Sequence, residues 1–123
     1  MRQVSVRNKT RELRFPLFLT DCSSFLSKFN GLMFKKNLSE DHGLVLSEKS
    51  VGRLSSSIHM FFMNFDIGVV WLDAKKRVVD TRLAIKWHPY YAPNAPAQYT
   101  LEIHPSRLTE FLMEDEIELI DEI

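Results

Sequence analysis

Between positions 58 and 85 the chain passes through three strand-like stretches, 58–63, 67–72 and 77–85, parted by short breaks at 64–66 and 73–76. Each is rich in the Val, Ile, Phe and Trp residues that suit a pleated surface, and each is short for a helix. Asp73-Ala74-Lys75-Lys76 is turn-like, so the second and third stretches read as a hairpin. In Ile58-His59-Met60-Phe61-Phe62-Met63 both parities are apolar, leaving His59 an imidazole between hydrophobic walls. This region commits the chain to a mainly β fold.

The flanking sequence adds shorter elements. Val4-Ser5-Val6 alternates as a first strand, and 11–15 is a further candidate. Leu19, Phe25, Leu26 and Phe29 share one helical face, so 18–30 predicts a helix that stops at Gly31. Leu44-Val45-Leu46 predicts a buried strand, 47–57 a polar loop, and 98–103 a strand with Tyr99, Leu101 and Ile103 on one face. Pro89, Pro93 and Pro96 exclude an interior strand or a helix from 86–96. Pro105 opens a short helix to about Leu112, and 117–120 is a last strand. The expected fold is one domain over residues 1–123, mainly β with two short helices on the α+β border, barrel- or sandwich-like. Met63, Val70, Leu72, Leu83, Leu101 and Ile103 are its expected core.

The 16 basic and 16 acidic residues cancel, so the chain lacks the net positive field of a protein that coats phosphates, and nucleic acid is disfavoured as a partner. The charges are nevertheless segregated. Arg2, Arg7, Lys9, Arg11 and Arg14 lie at the start, and Glu110, Glu114, Asp115, Glu116, Glu118, Asp121 and Glu122 at the end. The simplest expectation is that the two ends are neighbours and attract. The single cysteine, Cys22, fits a reducing compartment. No apolar stretch has the length of a signal peptide or a membrane span, so the reading is a cytoplasmic protein that does not enter membranes.

Candidate chemistry is sparse. His59 and Asp66 are seven residues apart, and an imidazole oriented by a carboxylate is the usual proton-handling pair. The other histidines, His42, His88 and His104, show no metal-ligand spacing, and no phosphate-binding glycine loop is present, so neither metal nor cofactor is expected. Trp87-His88-Pro89-Tyr90-Tyr91 gathers three aromatics in a proline-bounded loop, which serves either as a stacking platform or as a lid over the core. Arg82 is placed to flank it.

Five stretches also resemble a known family. Gly31-Leu32-Met33-Phe34, Ile58-His59-Met60-Phe61-Phe62-Met63, Val69-Val70-Trp71-Leu72-Asp73, Arg77-Val78-Val79 and Leu101-Glu102-Ile103 follow, in order, the pattern of the uncharacterised DUF192 family. The resemblance runs from about residue 28 to the C-terminus. It implies a compact mainly β domain and no established activity. Where the family often reads Pro-Ile-Asp, this chain reads Asp66-Ile67-Gly68, so Gly68 stands in the acid's place. Asp66 shares strand parity with it and is a candidate substitute.

Three functional readings follow. The first is a non-catalytic module binding a small molecule or a protein, with a pocket edged by His59, Asp66, Arg82, Trp87, His88 and Tyr90. In this reading His59 faces a cleft near the 87–91 loop. The second is a hydrolase-like enzyme using His59 and Asp66. The third is a self-associating β domain that pairs through an exposed strand edge. The oligomeric state is left open.

Overall fold

The computed structural model describes residues 2–22, 37–52, 58, 60, 63–88 and 91–122. Among them are seven strands: β1 Gln3–Asn8, β2 Phe18–Asp21, β3 His42–Gly52, β4 Ile67–Leu72, β5 Val78–Ala84, β6 Ala97–Ile103 and β7 Ile117–Asp121. A 3-10 helix, Pro105–Glu110, lies between β6 and β7. The strands form one sheet in the order β5-β4-β6-β3-β2-β1-β7. The β2–β3 pair is parallel and the other pairs are antiparallel.

The sheet is strongly curled. Its two edges touch at one corner, where Arg77 bridges Glu116, Val78 N–H donates to Asp115 O (2.9 Å) and Ile117 N–H to Lys76 O (2.9 Å). A single hydrophobic cluster holds side chains from all seven strands, from Val78 on one edge through Val70, Leu101, Val45, Leu19 and Val4 to Ile117 on the other. A flat seven-stranded sheet is about 29 Å wide at 4.8 Å per strand, too wide for one such cluster. The expected mainly β, barrel- or sandwich-like domain is thus one curled sheet whose closure stops at that corner, short of a closed barrel.

The other face carries a second cluster, in which Met60 and Met63 pack with Ile67, Val69, Trp71, Cys22 and Leu44. β4 is therefore buried at every position. Gly68 is part of this arrangement. A Cβ there would meet Leu108 Cδ1 at 3.2 Å and Ile103 Cγ1 at 3.4 Å, so this position lies under the 3-10 helix.

Several expectations change. The predicted helix over 18–30 begins as strand β2, because Phe18 to Asp21 pair with β1 and β3; its later part lies outside the described residues. The 11–15 segment is a loop held by side-chain contacts, and β3 continues to Gly52 through the expected polar loop. The 105–112 helix is 3-10 and ends at Glu110. Ile58 makes an isolated bridge to Tyr91, and half of the expected 58–63 strand lies outside the described residues. Of the expected core, Met63, Val70, Leu72, Leu101 and Ile103 are buried, whereas Leu83 is 46% exposed on edge strand β5.

The segregated charges meet as expected. β1 and β7 are antiparallel neighbours, and Arg2 pairs with Asp121 (3.3 Å), Arg7 with Glu118 (3.8 Å), Arg11 with Asp115 (2.6 Å) and Arg14 with Glu110 (3.2 Å). The outer pairs are solvated and worth little. The inner ones anchor the 9–16 loop. Asp115 also accepts from Asn8 Nδ2 (2.9 Å) and Leu112 N–H (3.0 Å). The fully buried Arg107 donates to Glu110, Phe15 O (2.6 Å) and Glu40 O (2.9 Å), and lies 4.0 Å over the Phe15 ring.

Hydrogen bonds from Arg11 outweigh burial and hold the Asp115 carboxyl at about 2, below its ordinary 3.8. A depressed carboxyl stabilises the fold above its unfolded pKa, and that stabilisation is lost as pH falls through the folded one. Asp115→Asn is expected to cost about 2 kcal/mol in denaturant unfolding near neutrality. Its deficit relative to the parent should shrink as pH drops from about 4 to about 2. A deficit independent of pH would contradict this role.

Candidate binding surface at the sheet edge

β5 is an edge strand, and its distal end runs into the loop that the sequence singled out. His88 N–H donates to Ile85 O (3.2 Å), closing a four-residue turn over 85–88. Trp87, the third residue, has φ 65°, a left-handed conformation that favours glycine. Two contacts hold the chain there. Trp87 N–H donates to Met60 O (2.8 Å), and Lys86 N–H donates to the Asp66 carboxylate (2.8 Å). Beyond the turn, Met60 N–H donates to His88 O (3.1 Å), and Ile58 and Tyr91 exchange both backbone hydrogen bonds at 2.8 Å.

Tyr91 is the hub. Its hydroxyl accepts from Ile85 N–H (3.1 Å), its ring lies 4.7 Å from the His88 ring, and the Arg82 guanidinium sits 5.9 Å from its centroid. Arg82 also reaches Asp80 (3.7 Å), whose carboxylate accepts the N–H groups of Thr81 (2.9 Å) and Asn94 (2.8 Å). Beside this hub three large apolar side chains are exposed at alternate positions: Leu83 at 46%, Ile85 at 42% and Trp87 at 53%. Arg82, by the alternation of β5, lies on the face opposite Leu83, and Lys86 and His88 flank Trp87 in the turn.

Four of the six sequence candidates, Asp66, Arg82, Trp87 and His88, thus belong to one end of the sheet. Asp66 acts there as a turn anchor through Lys86 N–H, away from the Gly68 position beneath Leu108. His59 and Tyr90 lie outside the described residues. Among the described residues no group of three His, Cys, Asp or Glu side chains is placed to hold a metal.

Sequence reasoning named the 87–91 loop but left Tyr91 and Ile85 out of the site residues and placed Leu83 in the core. Tyr91 stood inside the aromatic motif, but its role as hub depends on backbone pairing with Ile58. It also left out Glu102, which sits half-buried on β6 between Leu44 of β3 and Val69 of β4. The signal was available: a strand as apolar as Ile67–Leu72 is covered on both faces, so a carboxylate on its neighbour is not on an open surface. Burial pushes the Glu102 carboxyl up to about 7.

The family model described as "Uncharacterized ACR, COG1430" matches residues 7–119. The chain belongs to the DUF192 family. Curated DUF192-type relatives, all named UPF0127 proteins, include one from Thermococcus kodakarensis, 48% identical over 79 residues. That match covers 64% of this chain and 48% of the relative. Another, from Pyrococcus horikoshii, is 36% identical over 95 residues, covering 77% and 79% of the two chains. The matched part of the chain spans about half the length of the Thermococcus kodakarensis relative. The fold recurs in a solved structure from Sinorhizobium meliloti, with a TM-score of 0.81 at 13% identity over 96% of this chain and 92% of that one. It recurs also in a protein of unknown function from Novosphingobium aromaticivorans, with a TM-score of 0.72 at 16% identity over 94% and 83%. No helix among the described residues is long and apolar enough to cross a membrane.

The left-handed Trp87 generates a test of whether this DUF192 surface is structural. Glycine adopts that conformation without penalty, so Trp87→Gly is expected to change unfolding stability by less than about 1 kcal/mol in urea. A loss of more than about 2 kcal/mol would make Trp87 a packing residue instead.

Proposed function

We propose that residues 1–123 act as one cytoplasmic domain, a non-catalytic binding module whose ligand or protein partner docks at the 82–91 surface. The observation that carries this reading is Trp87, more than half exposed yet held in a strained backbone conformation by Met60 O. Such strain persists only where surrounding structure imposes it, and it concentrates at ligand clamps and active sites. An exposed indole between Lys86 and His88 in the turn also offers what binding hot spots are enriched in, a large rigid aromatic with polar neighbours. His59 and Tyr90 are part of the proposed surface by sequence position.

Two other readings receive less support. A hydrolase using His59 and Asp66 needs a carboxylate available to orient the imidazole, and one Asp66 oxygen is committed to Lys86 N–H. Pairing of β5 edges between chains would have to displace Asp80, whose carboxylate accepts the Thr81 N–H of that strand.

The test is ligand screening by NMR, with the side-chain signals of Trp87 and His88 as reporters and fully buried Trp71 as the internal control. A ligand is expected that moves Trp87 and His88 together in a saturable way, leaves Trp71 still, and fails to bind Trp87→Gly. A bound ligand whose contacts map elsewhere, with Trp87 and His88 unmoved, would overturn the assignment.

A further inference from the structure

We infer that the cleft inside the 6–16 segment is a second binding site, for a small organic anion: a carboxylate carried on an apolar body. The site shares no residue with the 82–91 surface and does not rest on that reading. The cleft has a volume of about 730 Å³, the size of an ordinary small-molecule site.

Its walls are fixed before any ligand arrives. Val6 N–H donates to Leu17 O (2.9 Å) and ties the two ends of the segment together. Lys9 N–H donates to Glu116 O (2.8 Å), and Glu116 N–H to Thr10 Oγ1 (2.9 Å). Asn8 Oδ1 accepts from Thr10 N–H (3.0 Å) and Arg11 N–H (3.3 Å), and the Glu110 carboxylate accepts from Arg14 N–H (2.8 Å). A loop already ordered spares a ligand the cost of ordering it.

The lining carries four cations, Arg7, Lys9, Arg11 and Arg14, and one acid, Glu12. Two of the cations have buried partners. The Asp115 and Glu110 side chains are 2% and 6% exposed, whereas Arg11 and Arg14, which pair with them, are 38% and 53% exposed. The carboxylates are therefore shielded, and an anion coming from solvent meets guanidinium groups first. Arg11 holds Asp115 through Nε and Nη2, and Arg14 binds Glu110 and Ser106 O through the same two atoms, so Nη1 of each keeps its donors for another acceptor. Of the other two cations, Arg7 makes a solvated 3.8 Å contact with Glu118, and Lys9 has no side-chain partner among the described residues. Planar guanidinium donors with an ammonium beside them suit a carboxylate.

The rest of the lining sets the body of the ligand. Leu13, Phe15 and Pro16 contribute apolar walls, with the Phe15 ring held against the Arg107 guanidinium (4.0 Å). A small hydrated ion such as phosphate leaves these walls unused, whereas an aromatic or aliphatic carboxylate covers them.

The test uses sodium benzoate as the probe, with benzyl alcohol and benzylamine as the neutral and cationic controls, followed through the backbone amide NMR signals of the whole chain. Saturable shifts are expected at Thr10, Leu13 and Phe15, with Trp87 and His88 unmoved. Benzoate should bind about tenfold more tightly than benzyl alcohol, and benzylamine should not bind there. Arg7 and Lys9 hold no buried partner, so the double variant Arg7→Gln, Lys9→Gln should keep the amide spectrum of the fold and bind benzoate about fivefold more weakly. If that variant fails to fold, the comparison of the three probes on the parent protein still decides. Unsaturable shifts, shifts that map outside 6–16, equal binding of benzoate and benzyl alcohol, or unchanged affinity in the double variant would overturn the proposal.

Discussion

Burial of β4 on both faces is the constraint from which the rest of the structure follows. Six consecutive residues, Ile67 to Leu72, are removed from solvent, so the sheet needs a cover on each side. On one side the sheet supplies it by curling until β5 and β7 touch, and Leu108 of the 3-10 helix completes the packing over Gly68. On the other side a second cluster supplies it, with Met60 and Met63 among its members. The segment carrying Met60 must then be held in place, and it is held by backbone hydrogen bonds to Trp87, His88 and Tyr91. The turn that exposes Trp87 is thus the outer clamp of the second core. Structure and candidate surface are joined by the same few hydrogen bonds.

The curl also needs its seam secured, and charge does this where apolar contact runs out. Arg11, Asn8 and Asp115 fix the 9–16 loop to the start of β7, while Arg107 and Glu110 fix it to the 3-10 helix. Buried ions survive because each is fully satisfied; Arg107 has carbonyl acceptors on Phe15, Pro16 and Glu40 as well as its carboxylate. The basic start and the acidic end of the chain thus lie side by side on β1 and β7.

The strands of the sheet were legible wherever their pattern was local. Val4-Ser5-Val6, the 67–85 hairpin and the 98–103 alternation each carry their own period, and the structure places strands over all three. The 18–21 segment was misread because its helical spacing was counted with residues further along, while pairing with β1 and β3 decides its state. Leu83 was misread for a related reason. Its alternation is regular, but β5 lies at the edge of the sheet, and strand order is a tertiary property that periodicity does not carry. Of the candidate surface, Trp87, His88, Arg82 and Asp66 were visible as residue types near one another in sequence. The Tyr91 hub and the half-buried position of Glu102 depend on register between distant strands.

The central claim, that the second face of the sheet is covered while the clamp beside it is open, is tested most directly by the two tryptophans. Trp71 lies within the covered face and is fully buried, and Trp87 is 53% exposed on the clamp. Acrylamide quenching of fluorescence in Trp71→Phe, which leaves Trp87, should be efficient, and in Trp87→Phe, which leaves Trp71, nearly absent. Equal, efficient quenching of both would mean that the second face of β4 is not covered and that the clamp does not exist as described.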